Sequence, residues 1–379
     1  MSRKSISLYI HIPFCKSKCY YCDFNSFVCR DEDVPAYFNL LRRELLLYKE
    51  LLKGYTISTV FIGGGTPSLV DANNIYQIVF FLREIFEVDK DAEITIESNP
   101  GTLTLEKLEI YVACGINRLS IGLQAIQEDL LRKMGRIHSL EEFSHSYSLA
   151  LKAGFKNINV DVIFGIPGQR LDDWKNTIEY MLKCEPTHLS CYSLKIEENS
   201  VFGEKHKNGK LIPVDDDLDR QMYWYAINKL KEKGYRHYEI SNFAMQNYSC
   251  RHNLVYWKCE EYIGLGTGAH SFFNNKRYSN VINIRNYSDS IGKGIIPKEN
   301  QILIAEQDRI SEFIILGLRL IDGVAMEEFE RKFDKCILDI YEKEITSLIK
   351  KNLLQISDKT IKLTSTGLDL ANQVFVEFI

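Results

Sequence analysis

The chain has 379 residues, 45% hydrophobic and 26% charged, with 47 basic and 51 acidic side chains for a net charge of −4. That length can bury a large domain plus a smaller one, and the composition is that of an ordinary soluble protein. No stretch approaches the roughly 20 apolar residues of a membrane span, since the most apolar late run, Phe313 to Ile321, is broken by Arg319. Met1 to Phe14 carries no signal-peptide run or small-residue cleavage site, so a cytoplasmic location is expected. Without a basic block, nucleic acid is not expected as a partner.

Over the first two-thirds, β-rich runs alternate with helical patterns. Strands are expected at Leu8–Ile12, Thr59–Ile62, Ile94–Glu97, Arg118–Gly122, Asn159–Phe164 and His188–Ser193. Between them, helices are expected at Val34–Lys53, Ala72–Phe86, Leu105–Cys114, Leu140–Ala153 and Asp172–Cys184. Several strands read as nearly continuous apolar segments, which suits parallel strands covered on both faces. The unusual residues all fall just after a strand: Gly63-Gly64-Gly65-Thr66-Pro67, Glu97-Ser98-Asn99-Pro100, Gln124 and Gly165-Ile166-Pro167-Gly168. Site residues at the C-terminal ends of six strands predict an α/β fold, a partial (β/α)6 TIM-like barrel.

After Ser193 the rhythm breaks. A polar segment, Glu197 to Asp219, precedes a helix near Arg220–Lys233 and a short strand at Arg236–Ile240, followed by the aromatic and glycine-rich stretch Tyr248 to Phe273. Gly292–Pro297 reads as a linker, dividing a core unit, 1–295, from a smaller unit, 296–379. The latter is expected as helices followed by Leu353–Ser357, a turn, Ile361–Thr364 and a last helix, the order of a winged helix. Glu306 to Ile379 holds 10 basic and 14 acidic residues, a sign that repels phosphates. A partner or substrate-lid role is expected there instead.

Ten cysteines in a cytoplasmic chain do not suit a disulfide framework. Seven (Cys29, Cys114, Cys184, Cys191, Cys250, Cys259 and Cys336) are scattered. The other three form Cys15-Lys16-Ser17-Lys18-Cys19-Tyr20-Tyr21-Cys22, a C-x3-C-x2-C loop directly after the first strand. Thiolates are the preferred ligands of iron–sulfur clusters, which usually take four. Three thiolates leave one iron of a 4Fe–4S cluster for an exchangeable ligand, such as the amino and carboxylate groups of S-adenosylmethionine. The alternative is a structural zinc site completed by Cys29 or a distant cysteine, although zinc sites usually space their ligands differently.

Tyr9-Ile10-His11-Ile12-Pro13-Phe14-Cys15 with the three cysteines resembles the radical S-adenosylmethionine superfamily. Within it, the chain is most similar to the coproporphyrinogen III oxidase-like group, which holds the oxygen-independent coproporphyrinogen III dehydrogenase and the HemW-type heme chaperones. The resemblance spans nearly the whole chain. It implies a cluster on Cys15, Cys19 and Cys22, with Gly64, Gly65 and Thr66 around the amino group of S-adenosylmethionine. It also assigns Glu97, Gln124, Arg136 and Asp161 to that cofactor, and Tyr9 to a place beside the cluster. Carboxylates and an amide accept from hydroxyls and an ammonium, and arginine pairs with a carboxylate. Taken singly, the glycines could form a tight turn and each polar residue an ordinary cap or ion pair. The dehydrogenase has a second S-adenosylmethionine site with phenylalanine where Tyr21 stands here.

Two departures from the dehydrogenase point to the chaperone. Phe24 replaces its fourth cysteine, and only eight residues precede Tyr9. His252-Asn253-Leu254-Val255-Tyr256-Trp257, followed by Tyr262-Ile263-Gly264-Leu265-Gly266-Thr267-Gly268-Ala269-His270-Ser271, resembles the HemW signature. A histidine can ligate heme iron and aromatics can pack on a porphyrin. His252 is thus a candidate heme ligand, with Cys250 and Cys259 as alternatives. The competing reading has His252 orienting a loop among core aromatics. The expected function is heme binding and transfer to a heme-accepting protein, including peripheral contact with membrane heme proteins. The alternatives are oxidative decarboxylation of coproporphyrinogen III and a structural iron–sulfur protein without turnover.

Overall fold

The computed structural model describes residues 4–379; Met1–Arg3, where the segment weighed as a leader begins, lie outside the described residues. Six strands form the centre: β1 (Lys4–Ile12), β2 (Tyr55–Gly64), β3 (Val88–Ser98), β4 (Arg118–Gln124), β5 (Asn157–Phe164) and β6 (His188–Ser193). They are hydrogen-bonded in that order and all parallel. The crossovers contain α1 (Asp33–Tyr48), α2 (Ala72–Ile85), α3 (Leu105–Ala113), α4 (Glu128–Lys133), α5 (Leu140–Lys152) and α6 (Leu171–Cys184). Local signals set the helix starts: Asp71 and Thr104 cap α2 and α3, and Ser139 with Glu142 makes a capping box on α5.

The strands alternate instead of running continuously apolar. Ile6, Leu8, Ile10 and Ile12 are at most 1% exposed and join the helices in the main core. So do Val60 and Ile62, Ile94 and Ile96, Leu119 and Ile121, and Val160 and Val162. Their neighbours point to the other face and are largely polar: Ser7, His11, Thr59, Glu93, Glu97, Arg118, Ser120, Asn159, Asp161 and Ser190. These groups bond to one another across the strands, as in Ser120 Oγ to Asp161 Oδ2 (2.8 Å) and Asn159 Nδ2 to Ser120 Oγ (2.7 Å). The inner face is therefore a hydrogen-bonded layer, where a closed barrel would stack branched aliphatics.

The sheet continues on both sides. Beyond β6, α7 (Val201–Lys207) and α8 (Asp216–Glu232) precede β7 (Arg236–Glu239) and β8 (Asn242–Ala244), which add antiparallel strands. Next comes the short α9 (Arg251–Trp257). The stretch after it contains β9 (Tyr262–Leu265), parallel to β1 on its open side, then β10 (His270–Phe273) and β11 (Lys276–Asn280). Gly292–Pro297 joins α10 (Ile284–Gly292) to β12 (Lys298–Leu303), the edge strand of the same sheet. The large sheet thus has 12 strands among the described residues.

A second core begins at Ile310. It is built from α11 (Glu306–Gly317), β13 (Val324–Ala325), α12 (Met326–Phe333), α13 (Ile337–Lys350), β14 (Leu354–Ser357) and β15 (Thr360–Leu363). Helix, strand, two helices and a hairpin is winged-helix order. Asp358 and Lys359 both have positive φ, the two-residue turn that matches strand twist. The unit docks through Trp224 Nε1 to Asp369 Oδ1 (2.8 Å), the Arg277–Glu312 ion pair and Arg319 over the Trp257 ring. No helix among the described residues is long and apolar enough to cross a membrane.

Glu44 on α1 ties these parts together. Its fully buried carboxylate accepts from Gly266 N (2.8 Å), Asn280 Nδ2 (2.6 Å) and Tyr287 OH (2.6 Å). Burial pushes its carboxyl up to about 7 despite these three donors. Glu44→Ala should leave three buried donors unpaired and lower stability by about 3–5 kcal/mol. Guanidinium unfolding checks this.

Candidate functional site

The site forms where β1–β6 end. Cys15 lies just past β1, in a two-residue strand, Phe14–Cys15, that pairs in parallel with Phe27–Val28. This closes the cysteine loop on itself through Phe27 N to Pro13 O (2.9 Å) and Cys29 N to Cys15 O (2.8 Å). Tyr20 N donates to Met134 O and Phe202 N to Tyr20 O, which clamps the loop to the barrel rim. Cys15, Cys19 and Cys22 are free thiols lining one cavity of about 540 Å³. Among the described residues, no three cysteine, histidine or carboxylate groups converge as ligands of a single metal ion would.

The glycine run after β2 makes room for the loop. A Cβ on Gly65 would sit 2.7 Å from Phe14 O and 3.0 Å from Cys15 Sγ. Gly65 N donates to Ile12 O and Thr66 N to Phe14 O, while Thr66 Oγ1 reaches Cys15 Sγ at 3.7 Å. Gly64 has φ +113°, open to glycine and strained for other residues, and its N–H meets Glu97 Oε2 at 3.0 Å. Burial, then the Asp161 charge, pushes the Glu97 carboxyl up to about 7.

Arg136 is the hub. Its guanidinium donates to Cys19 Sγ (3.6 Å), to Asn99 Oδ1 (2.7 Å) and to the Gly122 carbonyl. A side chain at Gly122 would collide with Gln124, Asn99 and Arg136. Arg136 Nε is buried without a partner. Gln124 holds φ +70°, a backbone strain of the kind found at ligand sites.

The structure thus brings Cys15, Cys19, Cys22, Tyr21, Gly64, Gly65, Thr66, Glu97, Gln124, Arg136 and Asp161 to one cavity. Asn99, Tyr192 and Lys195 line it too and were not singled out from sequence. Asn99, which also donates to Thr66 Oγ1 (2.8 Å), sits in a quoted strand-end cluster. Tyr192 follows from applying the strand-end rule to β6.

Two expected residues lie elsewhere. Tyr9 is stacked on Phe61 in the barrel interior, its hydroxyl 3.0 Å from His11 Nδ1. His11 Nε2 in turn meets Asn25 O (2.7 Å), so Tyr9 supports the cysteine loop from below the cavity wall. His252 lies near the opposite ends of the strands, buried and held neutral, with burial pushing it down to about 3. Its Nδ1 is 2.7 Å from Thr59 Oγ1 and its Nε2 2.8 Å from Tyr256 OH. Both ring nitrogens are engaged in hydrogen bonds, the arrangement that the loop-orienting alternative expects. Glu93 accepts from Arg251 N and His252 N and fixes the start of α9. Cys250 is enclosed beside the same carboxylate.

Comparison with known proteins agrees with the fold. The Radical SAM superfamily profile matches residues 9–181 and the HemN C-terminal domain profile residues 304–370. The chain is 34% identical to the heme chaperone HemW of Bacillus subtilis over 98% of this chain and 99% of that protein. It is 35% identical to the Escherichia coli heme chaperone HemW, covering 86% and 85% of the two chains. Coproporphyrinogen III oxidase (HemN) from Escherichia coli superposes with a TM-score of 0.86 at 24% identity, over 100% of this chain and 90% of that one.

The raised Glu97 carboxyl carries a stability signature. Its folded value, about 7, exceeds the ordinary 4.5, so the unfolded chain releases this proton first. Its contribution to stability should fall as pH rises from 4.5 to 7, by about 3 kcal/mol in total. Denaturant titrations at pH 5 and pH 7.5 should show Glu97→Gln lacking that share of the decline.

Proposed function

This chain belongs to the HemW family of the radical SAM superfamily, and from that premise we propose that it binds heme and delivers it to an acceptor protein, carrying a 4Fe–4S cluster and S-adenosylmethionine as cofactors. The observation that carries the reading is full-length similarity to relatives named heme chaperone HemW. The residues present fit the two cofactors: three free thiols on one cavity, a glycine whose Cβ would press on Cys15, and a buried guanidinium nitrogen without a partner.

Cys15, Cys19 and Cys22 would hold the cluster, which when bound supplies an electron for cleavage of the sulfonium. Around it, Gly64, Gly65 and Thr66 offer backbone groups to the methionine end of the cofactor. Glu97, Gln124 and Asp161 accept hydrogen bonds from its ammonium and hydroxyl groups, and Arg136 receives its carboxylate. Tyr21 packs against Leu130, Leu131 and Met134 and lines the same cavity beside the cysteines. The acceptor is a heme protein, with membrane-bound ones reached by peripheral contact from the cytoplasm. The net charge of −4 gives no footprint for nucleic acid.

The competing reading, coproporphyrinogen III dehydrogenase, draws on the HemN-like fold. Phe24 stands where that enzyme has a fourth cysteine. The anaerobic, cluster-loaded protein should develop a Soret band on heme titration and leave coproporphyrinogen III unchanged with S-adenosylmethionine. Formation of protoporphyrinogen IX would reject the delivery reading. His252→Ala should keep the Soret band while losing about 1–3 kcal/mol of stability in unfolding experiments, from the unmatched Thr59 and Tyr256 hydroxyls.

A further inference from the structure

The aromatic and glycine-rich stretch after β8 is split between the two ends of the barrel. His252 and Tyr256 lie at the base, bonded to each other and to Thr59. Tyr262–Leu265, as β9, instead runs parallel to β1, with Leu265 opposite Ile10. Gly266, Thr267 and Gly268 therefore leave the sheet at the end from which the cysteine loop departs. We infer that these three residues brace the cysteine loop, and that Asn25 is the positioning residue through which they hold Cys22; this rests on the cluster reading above.

Asn25 follows Cys22 by three residues and is tied at both ends. Its side-chain amide donates to Thr267 O (3.1 Å), and its carbonyl accepts from His11 Nε2 (2.7 Å). Both partners are buried, Thr267 at 0% and His11 at 5% exposure. Thr267 N donates to Tyr37 OH (3.2 Å), which donates to His11 O (2.9 Å), closing a ring through α1 and β1. Only glycine fits this approach. A Cβ on Gly266 (φ +92°) would lie 2.5 Å from Tyr37 OH, and one on Gly268 (φ +68°) 2.9 Å from Asn25 Nδ2.

The three thiols differ in what holds them. Cys15 Sγ has Thr66 Oγ1 at 3.7 Å, and Cys19 Sγ has the Arg136 guanidinium at 3.6 Å. Among the described residues, no side chain bonds to the sulfur of Cys22. Its N–H meets Cys19 O (3.2 Å). Burial pushes its thiol up, and the backbone N–H of Phe24 acts against this. The place of the third ligand is thus set by the backbone of residues 23–25. The exposed Lys18 reaches that segment at Phe24 O (3.1 Å), and Asn25 is its first anchor to buried partners. Groups that orient a metal ligand from behind are typically worth about 10–100-fold in metal affinity, and N–H groups facing cluster sulfurs tune the reduction potential.

Two readouts on the anaerobically reconstituted full-length protein test the brace: iron release to a chelator, and the cluster's reduction potential. Asn25→Ala should release iron about tenfold faster and lower the potential, as the Phe24 N–H drifts from the sulfur. Gly268→Ala, which presses on the same amide from the other side, should do likewise. Gly294→Ala imposes a similar backbone strain (φ +72°) with no atom within 4 Å of the added Cβ, and should match wild type. Equal acceleration in that variant would reduce the effect to general stability and overturn the inference. So would faster release with an unmoved potential, the mark of a merely structural contact. If the Asn25 and Gly268 variants match a cluster-loaded wild type in both readouts, the brace is rejected and the cluster reading stands. If wild type holds no cluster, the cluster reading fails and takes this inference with it.

Discussion

Six parallel strands that give one face to aliphatics and the other to polar groups place a hydrogen-bonding obligation at the centre of the molecule. An unpaired polar group buried there costs about 1–3 kcal/mol, so each must find a partner across the strands. Asp161 is met by Ser120 and Asn159, Asn159 by His188, and His188 by Tyr238. Tyr238 OH then accepts from Cys250 N at the start of α9. One connected layer therefore runs from the cavity at the strand ends to the helix that closes the base. At its C-terminal rim, where β1–β4 hand over to loops, Glu97, Gln124 and Arg136 meet the cysteine loop around open space.

Much of the architecture was legible because strand and helix signals were local. All six strands stand where β-branched runs predicted them, though β1, β2 and β3 begin earlier, at Lys4, Tyr55 and Val88, where Ser, Thr and charged residues hide the pattern. The strand-end rule led to the cysteine loop, the glycine run, Glu97 and Gln124 without knowledge of the fold. Arg136 and Asp161 came from resemblance, since an arginine outside a strand and an aspartate within one carry no local mark of a site.

What could not be read depends on contacts distant in sequence. Glu44 looks like one more polar residue on an amphipathic helix, yet its partners lie more than 200 residues away. His252 beside two aromatics suggests a ligand, and nothing local shows that Thr59 and Tyr256 bond its two ring nitrogens. Gly292–Pro297 has linker composition, but pairing of β12 with β11 keeps the next strand in the large sheet.

The account rests on three thiols that leave one iron of a cluster for a small sulfonium cofactor. Electron paramagnetic resonance of the anaerobically reconstituted, reduced protein, with and without S-adenosylmethionine, tests this most directly. A reduced-cluster signal that changes on adding the cofactor, and is absent when Cys15, Cys19 and Cys22 are all serine, is the expected result. A signal indifferent to the cofactor, or one that survives loss of the three thiols, would contradict it.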